Sequence, residues 1–160
     1  MVELGCGMGR ILKPLAPSCG EVIGVDISER MLELAVVYTA GIDNLRLEQT
    51  DGVSLGMIDD SSVDFFYSLD VLIHVDRRSA FRYLQEIRRV LKPGAIAVLN
   101  FLDIASSRGF GEFEALLDSD FPLELYTVEE LRFLFARAGL EIDSEQQADG
   151  TILLIVVHGS

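Results

Sequence analysis

The sequence has few basic residues: 13 lysines and arginines stand against 26 aspartates and glutamates, and the formal net charge is −13. A chain this acidic repels polyanions and has no basic stripe that could neutralise phosphates. The composition therefore excludes nucleic acid as an expected partner.

Long apolar runs and cysteines are also scarce. The longest uncharged apolar stretch, residues 151–157, is far shorter than the roughly 18 to 20 residues that cross a bilayer. The two cysteines, Cys6 and Cys19, are not accompanied by a secretory signal or by paired histidines. We therefore expect a soluble cytoplasmic protein with no membrane contact and no metal site.

The 160 residues, 49% of them hydrophobic, are enough for one core, so we expect a single domain over residues 1–160. Short runs rich in branched residues alternate with stretches that have apolar residues every three or four positions. This alternation predicts an α/β fold with a parallel sheet covered by helices. The strand candidates are residues 1–4, 21–26, 44–49, 63–68, 95–101, 141–146 and 151–158.

Helix ends are marked by capping residues and stop signals. Thr127 and Glu130 are spaced for a capping box, and Gly139 suits a left-handed helix end. A second helix is predicted from near Asp76 to Pro93, with its apolar face formed by Phe81, Leu84, Ile87 and Leu91. A third helix is predicted from Ser28 to Gly41, with Met31, Leu34, Ala35 and Tyr38 on one face.

Two segments carry weaker signals. Pro14 removes an internal hydrogen bond and predicts that the first helix is short or kinked. Residues 106–125 contain a candidate short helix at 112–117. A segment of this length is either a lid or substrate wall, or a surface excursion without a role.

The strongest local motif is a strand that runs into Gly5, Gly7 and Gly9. Glycines at such a turn allow a sharp bend and a close approach of a ligand to the backbone. A dinucleotide site favours Gly-x-Gly-x-x-Gly, and Arg10 occupies the position of the last glycine. The motif therefore weakens a nicotinamide-binding interpretation.

The second motif is a buried run that ends in Asp26, seventeen residues after Gly9. A carboxylate at a strand tip can accept hydrogen bonds from both hydroxyls of a ribose. Alone it is more often a solvated cap. Together with the glycine turn it favours a nucleoside site.

These motifs together resemble those of class I, Rossmann-like S-adenosylmethionine (AdoMet)-dependent methyltransferases. The resemblance covers residues 3–9 (ELGCGMG), 24–28 (GVDIS), 50–52 (TDG), 63–68 (VDFFYS), 89–94 (RVLKPG), 126–131 (YTVEEL) and 138–140 (AGL). It implies a three-layer, doubly wound and mostly parallel sheet of about seven strands with the last one antiparallel. Family members normally carry helices upstream of the first strand, and we expect a chain without them. Three explanations are open: a fragment, a misassigned start, or an open side that a second copy or a partner chain covers.

The resemblance also implies a set of cofactor-binding residues. Glu3 is expected to stabilise the AdoMet ammonium, Asp26 to hold the ribose hydroxyls, and Asp51 to bind the adenine amino group. The full set is Glu3, Gly5, Cys6, Gly7, Asp26, Ile27, Met31, Asp51, Gly52, Val53 and Ser68. Each has a simpler alternative: Ile27 and Val53 as core residues, Asp51–Gly52 as a turn, and Cys6 as a small packing residue.

His74 follows the fourth strand where the family places its methyl acceptor. It is the candidate catalytic base or acceptor-positioning group, although a structural histidine near a helix start is the commoner case. Asp70 is a weaker candidate, and Tyr67 is expected to pack.

The predicted function is AdoMet-dependent methyl transfer to a small-molecule acceptor at O, N or C by in-line displacement. No Asn-Pro-Pro-Tyr or Asp-Pro-Pro-Tyr signature of base-methylating enzymes follows the fourth strand, and the acidity agrees with a small acceptor. The alternatives are a non-catalytic module or inactive fragment that binds AdoMet or S-adenosylhomocysteine, and a nicotinamide-dependent enzyme.

Overall fold

The computed structural model describes residues 1–158, so the last two residues of the expected domain, Gly159 and Ser160, lie outside the described part. Strands and helices alternate along the chain. The strands are β1 (Val2–Leu4), β2 (Val22–Asp26), β3 (Leu45–Gln49), β4 (Val63–Ser68), β5 (Leu91–Asp103), β6 (Leu125–Tyr126), β7 (Leu140–Ala148) and β8 (Thr151–His158). The helices are α1 (Leu12–Leu15), α2 (Glu29–Tyr38), α3 (Arg77–Val90), α4 (Ser107–Ala115) and α5 (Val128–Ala138).

The sheet has the strand order β3-β2-β1-β4-β5-β8-β7, and the two-residue β6 pairs with β5 outside this path. β8 is antiparallel to both of its neighbours, and the other pairings are parallel. The predicted mostly parallel α/β sheet with its last strand antiparallel is confirmed, and β6 is an addition. The chain moves outward from β1 to β3 and then returns to β4 on the other side of β1. Ligands bind outside the carboxyl ends of the strands at such a reversal.

The central strands are buried because helices cover the sheet. Every residue of β1 and β2 is buried, and the main core collects the largest enclosed aromatic side chains, Phe66, Phe101, Tyr126 and Phe135. This packing fixes the carboxyl ends of β1, β2 and β4, where the candidate site lies.

The predicted helix ends are confirmed at four places. Ser28 Oγ accepts a hydrogen bond from the Met31 amide and caps α2. The Asp76 side chain accepts from the amides of Arg78 and Ser79 and caps α3. Thr127 and Glu130 form the complete capping box, and Gly139 ends α5 with φ of 79°. Local end signals therefore set the helix boundaries here.

Two predicted helix faces are only partly correct. α3 ends at Val90, and Leu91 already pairs with Val63 as the first residue of β5. Of the predicted face of α2, Ala35 is buried and Leu34 half-buried, whereas Met31 and Tyr38 are exposed. The apolar stripe of α2 is narrow because this helix covers the outer strands β2 and β3, where less of its surface is enclosed.

Both weak segments form short helices. α1 has four residues and passes directly into a 3₁₀ turn at Ala16–Ser18, as Pro14 predicts. α4 starts five residues before the predicted 112, because Ser106 caps it by accepting from the Gly109 amide at 2.9 Å. Within residues 1–158, no helix is both long and apolar enough to span a bilayer.

Candidate functional site

The glycine bend after β1 is tied to the end of β2. The amides of Gly5 and Cys6 both donate to the Val25 carbonyl, at 2.7 and 3.0 Å. Gly5 and Gly7 have positive φ angles of 76° and 53°, which glycine adopts without steric cost. The bend therefore turns sharply at the carboxyl edge of the sheet.

Asp26 lies in direct contact with this bend. Its Oδ2 accepts from the Gly7 amide at 2.7 Å, and its Oδ1 accepts from the Ser28 amide at 2.9 Å. The residue is only 8% exposed. Since an ionised carboxylate has about four acceptor positions, these two bonds leave capacity for a ligand's hydroxyls.

The two glycines of the bend are needed for different reasons. A Cβ at Gly5 would lie 2.0 Å from Val71 Cγ2, so the close approach of the turn after β4 excludes a side chain there. A Cβ at Gly7 would meet no atom within 4 Å. The space beside Gly7 is therefore open to a ligand.

Glu3 is a buried carboxylate in β1, beside the bend. Its Oε2 and the hydroxyl of Tyr67 are buried, and neither makes a hydrogen bond of normal geometry to the described residues. The pKa of Glu3 is raised from 4.5 to about 7: burial is the largest cause, the neighbouring Tyr67 hydroxyl lowers the pKa in part, and the charge of Asp26 adds to the rise. A buried acceptor without a partner is costly unless a donor binds to it.

A cavity of about 290 Å³ opens at this edge of the sheet. The residues of the predicted set that line it are Gly5, Asp26, Ile27, Gly52 and His74, together with the weaker candidate Asp70. Ile27 is 62% exposed and is not a core residue. Sequence analysis did not identify the remaining lining residues, Leu4, Thr50, Val71, Val75 and Tyr83.

The Asp51–Gly52 turn forms one wall of the cavity. Asp51 Oδ1 accepts from the amides of Val53 and Ser54 at 3.0 and 2.8 Å, and these bonds lower the pKa of the Asp51 carboxyl. Gly52 has φ of 90°, and a Cβ there would lie 3.0 Å from Ile27 Cδ1. The turn and Ile27 therefore approach each other at the end of β2.

The other members of the predicted set do not line the cavity: Glu3, Cys6, Gly7, Met31, Asp51, Val53 and Ser68. Burial raises the pKa of the Cys6 thiol to about 12, which leaves it protonated and agrees with a packing role. Ser68 is fully buried, and its Oγ donates to the Leu4 carbonyl at 3.1 Å. Val53 is half-buried, and Met31 is 42% exposed on the first turn of α2.

His74 ends a 3₁₀ turn, Leu72–His74, and lines the cavity. Its Nδ1 lies 2.9 Å from the Pro122 carbonyl oxygen. Since a carbonyl only accepts, Nδ1 carries the hydrogen in the neutral ring and Nε2 has the free lone pair. The ring also packs edge-on against Phe121, with 5.3 Å between centroids. This geometry suits a proton acceptor.

Asp70 is held in the left-handed region with φ of 58°. Its amide donates to Asn100 Oδ1 and its Oδ1 accepts from Asn100 Nδ2, both at 2.7 Å. Left-handed non-glycine residues cluster at functional sites, where the surroundings hold them in place. Among the described residues, no three His, Cys, Asp or Glu side chains are grouped so as to hold a metal ion.

Comparisons with known proteins agree with this arrangement. A family model described as a methyltransferase domain matches residues 2–99. A demethylmenaquinone methyltransferase from Staphylococcus aureus strain MRSA252 is 36% identical over 103 residues, which is 61% of this chain and 40% of the relative. The chain thus spans well under half of the length of the curated relatives it matches.

Solved structures share the fold. A SAM-dependent methyltransferase from Methanosarcina mazei is 23% identical with a TM-score of 0.82, covering 99% of this chain and 91% of that one. One from Mesorhizobium loti is 20% identical with a TM-score of 0.79, covering 98% of this chain and 89% of that one. The family model, which matches more than half of the chain, and the fold lead to one conclusion: the chain belongs to the methyltransferase domain family of the class I, S-adenosylmethionine-dependent type.

Proposed function

We propose that the chain binds AdoMet across the β1, β2 and β4 edge and transfers its methyl group to a small-molecule acceptor. The observation that carries this proposal is the hydrogen bond between the Gly7 amide and Asp26, because it joins a bend without side chains to a buried carboxylate at the reversal of the sheet. In AdoMet the methionine part is joined to the ribose, so the methionine part can lie along the bend while the ribose reaches Asp26.

The residues present fit the three parts of AdoMet. The unpartnered, buried Oε2 of Glu3 suits the ammonium of the methionine part, and the absence of any atom near a Cβ at Gly7 leaves room for that part along the bend. Asp26 has the remaining acceptor capacity for the ribose hydroxyls. The exposed Ile27 and the turn at Asp51 suit the adenine, whose flat face needs an apolar contact.

Bound AdoMet supplies a methyl group on a positively charged sulfur that leaves as a neutral thioether. The chain's own task is alignment and exclusion of water, and alignment alone can contribute about 7 to 11 kcal/mol. His74 lines the same cavity as Gly5 and Asp26, with its lone pair on Nε2. For a hydroxyl or protonated amine acceptor, Nε2 takes up the proton that the acceptor loses.

Four finer assignments belong to the same proposal. The acceptor is a small molecule, which the names of the Staphylococcus relatives and the net charge of −13 support. The chain acts as one AdoMet-binding domain, and it works in the cytoplasm. The binding residues are the predicted set, with Tyr83, Val71 and Thr50 added from the cavity wall.

Calorimetric titration with AdoMet tests the binding site. We expect Asp26→Ala to weaken AdoMet binding by about tenfold or more, which is about 1.4 kcal/mol, because the ribose loses its acceptor. Asp43→Ala, an exposed aspartate after α2, is the matched control and should leave the affinity unchanged. Equal affinity in wild type and Asp26→Ala would remove the ribose assignment.

Turnover separates an enzyme from a binding module. Wild-type protein is incubated with labelled AdoMet and a panel of small acceptors, and methyl transfer is measured. With a reactive acceptor, His74→Gln should lower kcat, because the reaction loses the imidazole that accepts the acceptor's proton. Tight AdoMet binding without transfer to any acceptor would favour the non-catalytic alternative.

A further inference from the structure

The sheet ends on one side at β3, which pairs with β2 and with no other strand among residues 1–158. The carbonyl of Asn44, just before β3, and the amide of Thr50, just after it, both bond to β2, at 2.9 and 3.0 Å. Successive residues of a strand direct their backbone polar groups to alternate sides. The amides and carbonyls of Leu45, Leu47 and Gln49 therefore point away from β2, and such a row is a template for another strand.

The side chains of β3 carry one charge of each sign on the same face. Arg46 and Glu48 are two residues apart, and Arg46 Nη1 lies 2.8 Å from Glu48 Oε1. Leu45 and Leu47 lie on the other face, where they pack against the apolar cluster around Leu12. The free edge thus has a basic and an acidic position on either side of Leu47.

The opposite end of the sheet, β7, is protected against pairing with a further strand. Its exposed Glu141 and Asp143 have the same charge. Its register with β8 also shifts between Ile142 and Ser144. Like charges and bulges keep edge strands from pairing. β3 has neither feature, because its register with β2 is unbroken and its two charges are opposite.

We propose that β3 pairs antiparallel with β3 of a second copy of the chain, with Leu47 opposite itself on a two-fold axis. All five residues of the strand then pair. Arg46 lies opposite Glu48 of the second copy, and Glu48 lies opposite its Arg46, as a two-fold axis requires. Registers centred on Arg46 or on Glu48 pair fewer residues and set two like charges opposite each other. The charge pattern therefore selects one register.

The backbone of β3 agrees with this register. Leu47 directs its amide and carbonyl outward and forms the hydrogen-bonded pair at the axis. Arg46 and Glu48 then occupy the non-hydrogen-bonded pairs, in which side chains of the two strands come closest. Each of the four charges has an opposite charge beside it in its own strand and another across the axis.

α2 lies beside this edge and adds exposed apolar surface to it. Val36 and Val37 are 61 and 76% exposed, and Val36 borders a cavity of about 360 Å³ together with Leu45 and Leu47. A two-fold axis through Leu47 places α2 of both copies on the same face of the extended sheet. Burial of these valines between the copies supplements the short strand pairing.

Charge reversal within β3 tests the pairing by sedimentation equilibrium. Arg46→Glu has two acidic residues in β3 and Glu48→Arg has two basic ones, so each variant sets like charges opposite each other in its own dimer. We expect each to raise the dimer dissociation constant about tenfold or more. An equimolar mixture of the two variants should form a heterodimer with the affinity of wild type, because every cross-strand charge pair is then opposite again.

The mixture separates pairing between copies from the in-chain pair of Arg46 and Glu48, which mixing does not repair. Arg132→Glu breaks an exposed pair with Glu145 beside β7 and is the matched control, which should leave the dissociation constant unchanged. A wild-type chain that stays monomeric up to about 1 mM, a mixture without heterodimer, or an equal loss in Arg132→Glu would overturn the inference.

Hydrogen exchange gives a second measurement that needs no variant. The amide of Leu47 should exchange more slowly at high than at low protein concentration, whereas the amide of Arg46, which faces β2, should not respond. Exchange at Leu47 that is independent of concentration in a dimeric sample would contradict the β3 interface. Neither Arg46 nor Glu48 lines the cofactor cavity, so AdoMet binding tests the proposed function separately.

Discussion

At the scale of single residues, two buried carboxylates at the site differ in their surroundings. Asp26 accepts two backbone amides, whereas Oε2 of Glu3 has no hydrogen-bond partner among the described residues. Hydrogen bonds to a carboxylate stabilise its charged form, and burial without them destabilises it. Glu3 is therefore the group whose protonation changes near neutral pH, with a pKa of about 7.

Glu3 makes the stability of the free protein depend on pH. Since its pKa is raised from 4.5 to about 7 in the fold, the folded state holds more protons than the unfolded state between these values. Stability then falls as pH rises through this window and stays low above it. Between pH 5 and 8, we expect the free energy of unfolding of wild type to fall by on the order of 1 to 3 kcal/mol more than that of Glu3→Gln. Urea unfolding at each pH measures this difference.

The same group couples AdoMet binding to proton release. An ammonium beside Glu3 stabilises the carboxylate and lowers its pKa, so binding releases a proton below about pH 7. AdoMet affinity should therefore rise with pH from 5 to 7. Calorimetry near pH 6 in buffers of different ionisation enthalpy measures the released proton, and Glu3→Gln should abolish both effects. A proton count that Glu3→Gln leaves unchanged would assign the release to another group.

The sequence predicted the residues that short motifs place, and it missed those that packing brings in. Asp26 and Gly7 were identified because a strand tip and a glycine turn are local patterns. Tyr83 lies on α3 and Val71 in the turn after β4, and neither has a signal in its own segment. Tyr83 reaches the site through the Thr50 hydroxyl, 3.1 Å from its own, and only the fold reveals that contact.

At the scale of secondary-structure elements, α3 holds the loop that follows the cavity-lining turn at Gly52. Arg89 donates to the carbonyls of Leu55 and Ile58 at 3.0 and 2.9 Å and to Asp60 at 2.6 Å. Glu86 pairs with Arg89 and accepts from the Leu55 amide at 2.8 Å. The helix thus fixes residues 55–60, and with them the turn at Gly52.

We expect Arg89→Met to release this loop. The carbonyls and the carboxylate of this loop then lose the hydrogen bonds that the charged guanidinium donates. Each such bond contributes about 1.5 to 3 kcal/mol, so the free energy of unfolding should fall by about 2 kcal/mol or more. Hydrogen exchange of residues 52–60 should become faster, and AdoMet should bind more weakly because binding must then order the loop. Arg82→Met on the exposed face of α3 is the control, and an equal effect of both variants would contradict the loop assignment.

Element boundaries were predicted well where a local signal dominates. The capping box of Thr127 and Glu130 placed α5 within one residue. The end of α3 was misplaced because Leu91 fits the helical spacing, while in the fold it pairs with Val63 across the sheet. Pairing between distant strands is invisible in a spacing pattern, so tertiary contacts decided that boundary.

At the scale of the whole molecule, the two halves of the sheet have different tasks. The carboxyl ends of β1 and β2 and the segments that follow β3 and β4 line the cavity of about 290 Å³. In contrast, β5, β7 and β8 form long, well-paired strands that bury Leu99, Ile152 and Leu154. The cavity residues come from segments as distant as Leu4 and Tyr83. A ligand in the cavity therefore binds only the folded arrangement and stabilises it as a unit.

This linkage distinguishes AdoMet from a nicotinamide cofactor. At a concentration about 100 times its Kd, a ligand adds about 2.7 kcal/mol of stability, and the melting temperature of a chain of this size should rise by about 5 to 11 °C. We expect AdoMet to produce such a rise in a thermal melt and NADH at the same concentration to produce none, because Arg10 follows the glycine bend where a pyrophosphate site needs a glycine. At the same AdoMet concentration, Asp26→Ala should show a smaller rise above its own ligand-free melting temperature than wild type does, because its Kd for AdoMet is higher. A shift with NADH and none with AdoMet would reverse the choice of cofactor.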